Sequence, residues 1–383
     1  MESFVINARR RLHEYPEIGF ELDKTLAFLR SSLDEIGVEY TEKYGKSSIV
    51  ATVNPEKRNF TIAIRADIDA LPINEKNDVP YKSRIEGQMH ACGHDAHTAI
   101  ALDVCRRIYE MRDKVACRVK FFFQSAEEYP PSGAKLMVAD GVMEDVDCIV
   151  ALHCDSAYLV GEIGISEGAQ SAVSDGFYLD FFGKSAHAAQ QQKGVDAIMM
   201  AVRAYTDIEF MIAKEISARD SIVFNVGAIN GGVANNIICP ECRMYCTMRT
   251  LSTPVRDYAM ERIKRIIEGV AQSAGGKATL TMNKHYPMVV NDKKVSNLLI
   301  ESAKKVVGEE FVLPRVQSMG GEDFSYFLCE KPGCMFRLGI KNEEKGITYP
   351  VHTDMFDIDE SALQIGSDVF VRFILDNMNG FES

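Results

Sequence analysis

The chain lacks a basic block and lacks any long apolar run. Its 383 residues carry 43 Lys and Arg against 55 Asp and Glu, a net charge of −12. An acidic balance without clustered cations argues against nucleic acid and anionic membrane surfaces as partners, and leaves small-molecule substrates open. No stretch reaches the ~18 consecutive apolar residues of a membrane span. The opening Met1-Glu2-Ser3-Phe4-Val5 lacks the basic and apolar regions of a secretory signal, so none is expected. There is no internal repeat and no low-complexity segment. A second Cys-x-x-Cys is missing as well. Cys239-Pro240-Glu241-Cys242 followed by Cys246 resembles half a zinc ribbon, but nothing completes four ligands. Cys242, Met244, Cys246 and Met248 instead alternate with Arg243, Tyr245, Thr247 and Arg249, the periodicity of a strand. The ten cysteines are scattered through apolar segments, which suggests reduced thiols and a cytoplasmic protein.

Histidine is scarce too, with eight in the chain, yet His90, His94 and His97 fall within Met89–His97 together with Cys92 and Asp95. Sulfur, imidazole and carboxylate in one short stretch describe a transition-metal site better than a hydrophobic core.

At this length two domains are expected. Residues 3–15 and 22–36 read as helices ending at Pro16 and Gly37. Ser48–Val53 and Phe60–Arg65 read as strands, and Thr98–Ile108 as a buried helix. Val119–Phe123 and Cys148–Leu152 are short apolar strands, with Ala134–Ala139 helical between them. Alternating buried strands and helices indicate an α/β fold, a mainly parallel sheet with helices on both faces. Asp67 and Asp69, Glu127 and Glu128, and His153 each follow such a strand. Sites in open α/β sheets gather at the carboxyl ends of strands, so three segments point their chemistry at one edge.

From about Ser174 the order becomes strand–helix–strand–strand–helix–strand: Phe177–Phe182, Val195–Ile212, Ser221–Ala228, Arg243–Arg249, Val255–Ala271 and Ala278–Asn283. That is the ferredoxin-like α+β pattern. The expected division is a discontinuous catalytic domain, 1–173 and 285–383, with a domain at 174–284 inserted into it. After the insertion come a helix at Lys294–Val307, a glycine-rich turn at Met319–Phe324, a strand at Cys334–Leu338 and a final helix from about Asp359.

The candidate metal ligands are Cys92, His94, Glu128, His153 and His352. Five ligands exceed one tetrahedral site with an open position and fit two cations that share a water. His97 lies one helical turn beyond His94, as a ligand or as a partner that orients one. Asp67 and Asp69 flank the same region. Glu127 and Glu128 sit at a strand end, where adjacent residues point opposite ways. One carboxylate can ligate a metal; the other can take a proton from water and pass it to a leaving nitrogen.

With these residues in place the chain resembles the dinuclear metallopeptidase and aminoacylase superfamily, on its N-acyl-amino-acid amidohydrolase branch, which includes hippurate hydrolases. The resemblance runs through nearly the whole chain. It rests on Arg11-Leu12-His13 with Pro16-Glu17, Arg65–Pro72, Met89–His97, Gln124–Glu128, Asn236, Arg249, Gly321–Phe324 and His352. It implies two divalent metal ions per subunit, of zinc, manganese, cobalt or nickel, held by Cys92, His94, Glu128, His153 and His352. It implies Glu127 as general base, supported by Asp67 or Asp69. The inserted domain is similar to the family's lid and dimerisation domain, which implies a homodimer. His187 matches a histidine that steadies the reaction intermediate. Asn236, Arg249 and Gly321 match substrate-contacting positions, and an arginine suits a substrate carboxylate. Asp95 and His97 are left as supporting residues around the ligands, and His90 drops out. The implied reaction is hydrolysis of an N-acyl amino acid or related small amide by a metal-activated water, with an aminopeptidase or dipeptidase as the alternative. A non-catalytic binding protein on the same scaffold is a remote third. The chain departs from the branch at Ser125, at Tyr129-Pro130-Pro131-Ser132 and at Gln190-Gln191-Gln192, positions expected to border the acyl or amino-acid pocket.

Overall fold

The computed structural model describes residues 3–381, so Met1 and Glu2 of the expected leaderless start lie outside the described residues. The chain divides into two compact units. One takes in the chain up to Gln170, Val290–Val316 and the chain from Asp323 on; the other is Ser171–Val289 with Gln317–Glu322. The sequence reading assigns residues 317–322 to the first unit. The structure gives them to the second because Ala172 N–H donates to the Ser318 carbonyl and Arg249 donates to the Met319 carbonyl, at 3.0 and 2.8 Å.

In the first unit an eight-stranded sheet runs in the order Glu39–Thr41, Ile49–Val53, Arg118–Gln124, Thr61–Asp67, Cys148–Leu159, Gly333–Lys341, Ile163–Gly164, Val312–Leu313. The four central strands are mutually parallel. Thr61–Asp67 and Arg118–Gln124 are buried at every position, which explains their near-continuous apolar sequence. Helices cover both faces. Leu26, Ile100, Leu299 and Phe370 pack with Ile62, Ile64, Phe121 and Phe123 on one side. Ala134, Met137 and Phe327 pack with Ala63, Phe122 and Ile149 on the other.

Two elements differ from expectation. The helix read from Thr98 starts at His94. Its polar first turn is buried, so burial periodicity in the sequence hides it. The strand expected to end at Leu152 continues to Leu159, so His153 lies within a strand rather than after one. Pairing with Gly333–Lys341 carries it onward. Helix ends follow local chemistry elsewhere. Asp23–Ile36 has no side-chain cap at Leu22; Glu17 accepts from Lys24 and Thr25 N–H instead, at 3.1 and 2.8 Å. Gly37 closes the helix in the left-handed region.

The second unit is a four-stranded antiparallel sheet ordered Lys277–Tyr286, Val173–Phe182, Glu241–Thr250, Ile222–Gly231, with helices Ala197–Glu215 and Thr253–Ala274 on one face. This is the ferredoxin-like order. Cys242, Met244, Cys246 and Met248 are buried in its core, and Cys239 Sγ bonds the Glu241 carbonyl. Among the described residues these cysteines form no metal-ligating group.

Candidate metal centre

The candidate ligands in the first unit come from four places in the chain. Cys92 and His94 straddle Gly93, whose φ of +83° turns the loop into the His94–Glu110 helix. A Cβ there would stand 3.0 Å from Cys154 Cβ, so both conformation and space call for glycine. Glu127 and Glu128 follow Arg118–Gln124 through Ala126, itself at φ +49°. Their loop is held by a close approach at Gly133, where a Cβ would fall 1.8 Å from the Ser125 carbonyl oxygen. His153 stands in its strand beside Arg337. His352 has φ +65°, and its backbone N–H is tied to the Ala91 carbonyl at 2.7 Å. Positive φ at a bulky residue is sparsely populated and persists where surroundings impose it.

These donors converge. The ligand atoms of Cys92, His94 and His153 lie within 4.8 Å of one another, as do those of Cys92, Glu128 and His352. Cys92 belongs to both groups. His94, Glu127 and Glu128 form a third such group. Cys92 Sγ is 3.5 Å from His153 Nε2, and His352 Nε2 is 3.0 Å from Glu128 Oε1.

The imidazoles are oriented by their other nitrogens. His94 Nδ1 contacts the Asp69 carbonyl at 2.8 Å, and its buried Nε2 makes no hydrogen bond. His153 Nδ1 contacts the Cys154 carbonyl at 2.7 Å, turning Nε2 toward Cys92. A donated Nδ1–H leaves an Nε2 lone pair, the tautomer a cation requires. His97 differs. Its Nδ1 meets Asp67 Oδ1 at 2.6 Å and its Nε2 accepts from Cys154 N–H at 2.9 Å. Both nitrogens are engaged by protein, so His97 supports Asp67 and offers no lone pair.

The two aspartates occupy distinct positions. Asp67 accepts from Arg65 at 2.7 Å as well as from His97. Burial opposes its charge, but Arg65, His94 and His97 hold its carboxyl well below the usual range. Asp69 accepts from the backbone N–H of Glu127 at 3.1 Å and of Glu128 at 3.2 Å. Burial pushes the Cys92 thiol up and, with Arg337 nearby, pushes His153 well down, leaving it neutral. Burial also works against a charge on Glu128, but hydrogen bonding from His352 lowers it. For His94, burial favours the neutral ring, yet the Asp67 charge raises it.

Asp95 does not join this group. One residue along a helix turns about 100°, and Asp95 instead accepts from Arg9 Nε at 2.8 Å and meets His13 Nδ1 at 2.7 Å. His13 reaches Glu75, and Arg9 reaches Asp357, which also accepts a hydrogen bond from the Tyr81 hydroxyl. His90 is buried with neither ring nitrogen hydrogen-bonded, and burial pushes it down to about 3. It belongs to none of the donor groups. The anchoring roles of Arg9 and Arg65 escape sequence inspection, although Arg65 belongs to the motif that carries the resemblance.

In the second unit His187 is exposed, and its Nδ1 accepts from Ala189 N–H at 3.1 Å. The Asn236 carbonyl takes the Ala188 N–H at 3.0 Å, which lays the two exposed segments side by side. Arg249 bonds the Met319 carbonyl, and Gly321 packs against Ser174, where a Cβ would come within 2.9 Å of Ser174 Cβ.

A parallel α/β sheet with cysteine, histidine and glutamate donors at its carboxyl edge defines the class of metal-assisted hydrolases. Peptidase family M20/M25/M40 matches residues 63–376. An N-acetyldiaminopimelate deacetylase of Priestia megaterium is 34% identical over 97% of this chain and 98% of its own. Thermostable carboxypeptidase 1 of Saccharolobus solfataricus is 33% identical over 96% and 93%. The solved structure of the Bacillus subtilis YXEP protein, described as a dinuclear metal binding peptidase from M20 family, superimposes with TM-score 0.83 at 30% identity, covering 97% of this chain and 96% of that one. The chain belongs to the M20/M25/M40 family and is a hydrolase of amide bonds.

Proposed function

We propose that this chain is an amidohydrolase of N-acyl amino acids, or of small related amides, that works with two divalent metal ions. The observation that carries this reading is the pair of donor groups sharing Cys92, with Glu127 beside them in the group of His94 and Glu128. The residues fit such ions: a buried His94 Nε2 without a hydrogen bond, an oriented His153, a buried thiol and the Glu128 carboxylate are a mixed nitrogen, sulfur and oxygen set. Cys92, His94 and His153 would hold one ion, and Cys92, Glu128 and His352 the other. When bound, the metals activate water at neutral pH and polarise the amide carbonyl.

The chain's own residues do the rest. Glu127 takes the proton from the attacking water and returns it to the leaving nitrogen. Asp69 fixes both glutamates through their backbone N–H groups. Asp67 carries His97, whose ring braces the strand of His153 through Cys154 N–H. His187, Asn236, Arg249 and Gly321 contact the substrate from the lid, with Arg249 for its α-carboxylate. The lid supplies the homodimer contact. The Ile222–Gly231 edge strand pairs on one side only and exposes Val223 and Ile229, and the neighbouring Val233 is 90% exposed.

The test is hydrolysis of acetyl-amino acids by protein loaded with zinc, manganese, cobalt or nickel in turn, beside the matching free dipeptides. Acetyl-amino acids should be preferred. Glu127→Gln should abolish turnover while metal content stays at the wild-type level; unchanged turnover overturns the role of Glu127. The carboxypeptidase relative supports a second reading, peptide cleavage on the same scaffold. Preference for dipeptides would establish it over the first.

A further inference from the structure

One guanidinium beside the candidate metal centre makes no hydrogen bond to the protein among the described residues. Arg337 lies in the middle of Gly333–Lys341, a strand whose neighbouring residues Met335, Phe336 and Leu338 are fully buried. It is the one charged residue in the stretch Gly333-Cys334-Met335-Phe336-Arg337-Leu338-Gly339-Ile340. Its side chain is 13% exposed. Registered neighbours in a parallel pair share a face of the sheet, and the registered neighbour of Arg337 is His153. The guanidinium therefore stands on the same side as that imidazole, at the edge of the donor groups.

Arg9 and Arg65, buried in the same unit, are held by acidic partners. Arg9 bonds Asp95 and Asp357, and Arg65 bonds Asp67, Gln124 and Asp323. Arg337 makes no hydrogen bond to protein among the described residues; the closest carboxylate, Asp155, stands 3.7 Å away. Asp155 is anchored through its other oxygen, Oδ1, which accepts from the Ala157 N–H at 2.9 Å, while Oδ2 faces Arg337. A mostly buried cation balanced by Asp155 alone, at 3.7 Å and without a hydrogen bond, keeps its five N–H donors available to another acceptor. A planar fork of donors is met best by a carboxylate.

We propose that Arg337 is a specificity-determining residue of this site that receives a second carboxylate of the substrate, separate from the one at the reacting end. The shared chemistry is a dicarboxylate. The second carboxylate is either the acidic side chain of the N-acylated amino acid or the free end of a dicarboxylic acyl group. This rests on the amidohydrolase reading for its substrate class, but the cation's preference is measurable without turnover.

The experiment is calorimetric binding of glutarate and of its monoamide to the zinc-loaded protein. Both ligands present one carboxylate to the metals; only glutarate presents another. Glutarate should bind at least tenfold tighter. Arg337→Met, which keeps the apolar stem, should erase the difference, and Arg337→Lys should keep part of it. Asp155→Asn removes the competing charge and should tighten glutarate binding severalfold while leaving the monoamide unchanged. Equal binding of the two ligands by the wild type overturns the proposal, as does an undiminished preference in Arg337→Met. Should Arg337→Met fail to fold by circular dichroism, Arg337→Lys and Asp155→Asn decide, and wild-type preference in both overturns it. Two turnover comparisons then separate the sources: N-acetylglutamate against N-acetylglutamine, and N-succinylalanine against N-butyrylalanine. A glutarate preference that depends on Arg337 in a protein that hydrolyses none of these refutes the amidohydrolase reading and leaves the anion subsite standing.

Discussion

Replacing Asp69 with alanine tests the division of labour between the two aspartates. Asp69 holds the backbone N–H groups of Glu127 and Glu128 at 3.1 and 3.2 Å, and its Oδ1 stands 3.4 Å from His94 Nδ1. Asp69 is fully buried. Its truncation strands two donors, each costing about 1–3 kcal/mol when left unsatisfied, so roughly 2–6 kcal/mol of local stabilisation is at risk. Water entering the space would recover part of this. The loop that carries both glutamates would then drift, and a displacement of about 1 Å costs on the order of 100-fold in rate. Asp69→Ala should therefore lose on the order of 100-fold in kcat/KM on the best acetyl-amino acid found. Asp69→Asn keeps a carbonyl acceptor for one N–H and should lose less. Chemical denaturation of each variant separates lost fold from lost alignment. Asp69→Ala within threefold of wild type, with Asp67→Ala inactive yet folded, would refute the assignment and make Asp67 the residue that sets up the glutamates.

Gly93→Ala should destabilise the protein by about 1–3 kcal/mol, since it forces a side chain to φ +83° and onto Cys154; an unchanged urea midpoint would show that the turn is not fixed. Acid should weaken the fold through Asp359. Burial opposes its charge, but Lys345, the Ser361 N–H and Asn342 hold its carboxyl at about 2 against an ordinary 3.8. A depressed carboxylate contributes fully above its unfolded value and loses that contribution as pH falls from about 4 toward about 2. Urea midpoints taken across that range should fall less steeply in Asp359→Asn than in wild type, and parallel slopes would count against the linkage.

The sequence shows most of the fold because its strands are buried on both faces and read as apolar runs. Arg118–Gln124 and Thr61–Asp67 are legible for that reason. The second unit is legible from strict alternation, as in Glu241–Thr250. Legibility fails where burial is polar. The first turn of the His94–Glu110 helix is buried but made of His94, Asp95 and His97, so periodicity places the start at Thr98. His153 lies in a strand that outlasts its apolar half. Pairing at long range is also invisible: Arg65 reaches Asp323 and Arg9 reaches Asp357 across the chain. Composition gives no hint that Arg337 has only Asp155, at 3.7 Å, for a charged partner.

Neighbours in the sequence of this site repeatedly take opposite tasks. His94 turns toward the donors, while Asp95, about 100° further round the helix, locks that helix to Phe4–Glu14 through Arg9 and His13. His153 faces Cys92, and the next residue gives its N–H to His97. Cys92 supplies sulfur to both donor groups, and Gly93 supplies only the turn. The pattern has a physical cause. Donors that must meet within a few ångströms need rotamers fixed by partners of their own. The cheapest rigid partner is the adjacent residue, which strand or helix geometry points elsewhere. A motif dense in ligating residue types therefore overstates the number of ligands. Met89–His97 holds three histidines, a cysteine and an aspartate, and gives two side chains, Cys92 and His94, to the shared groups. Of the remainder, His97 bonds Asp67 and Asp95 bonds Arg9, while His90 makes no hydrogen bond through its ring.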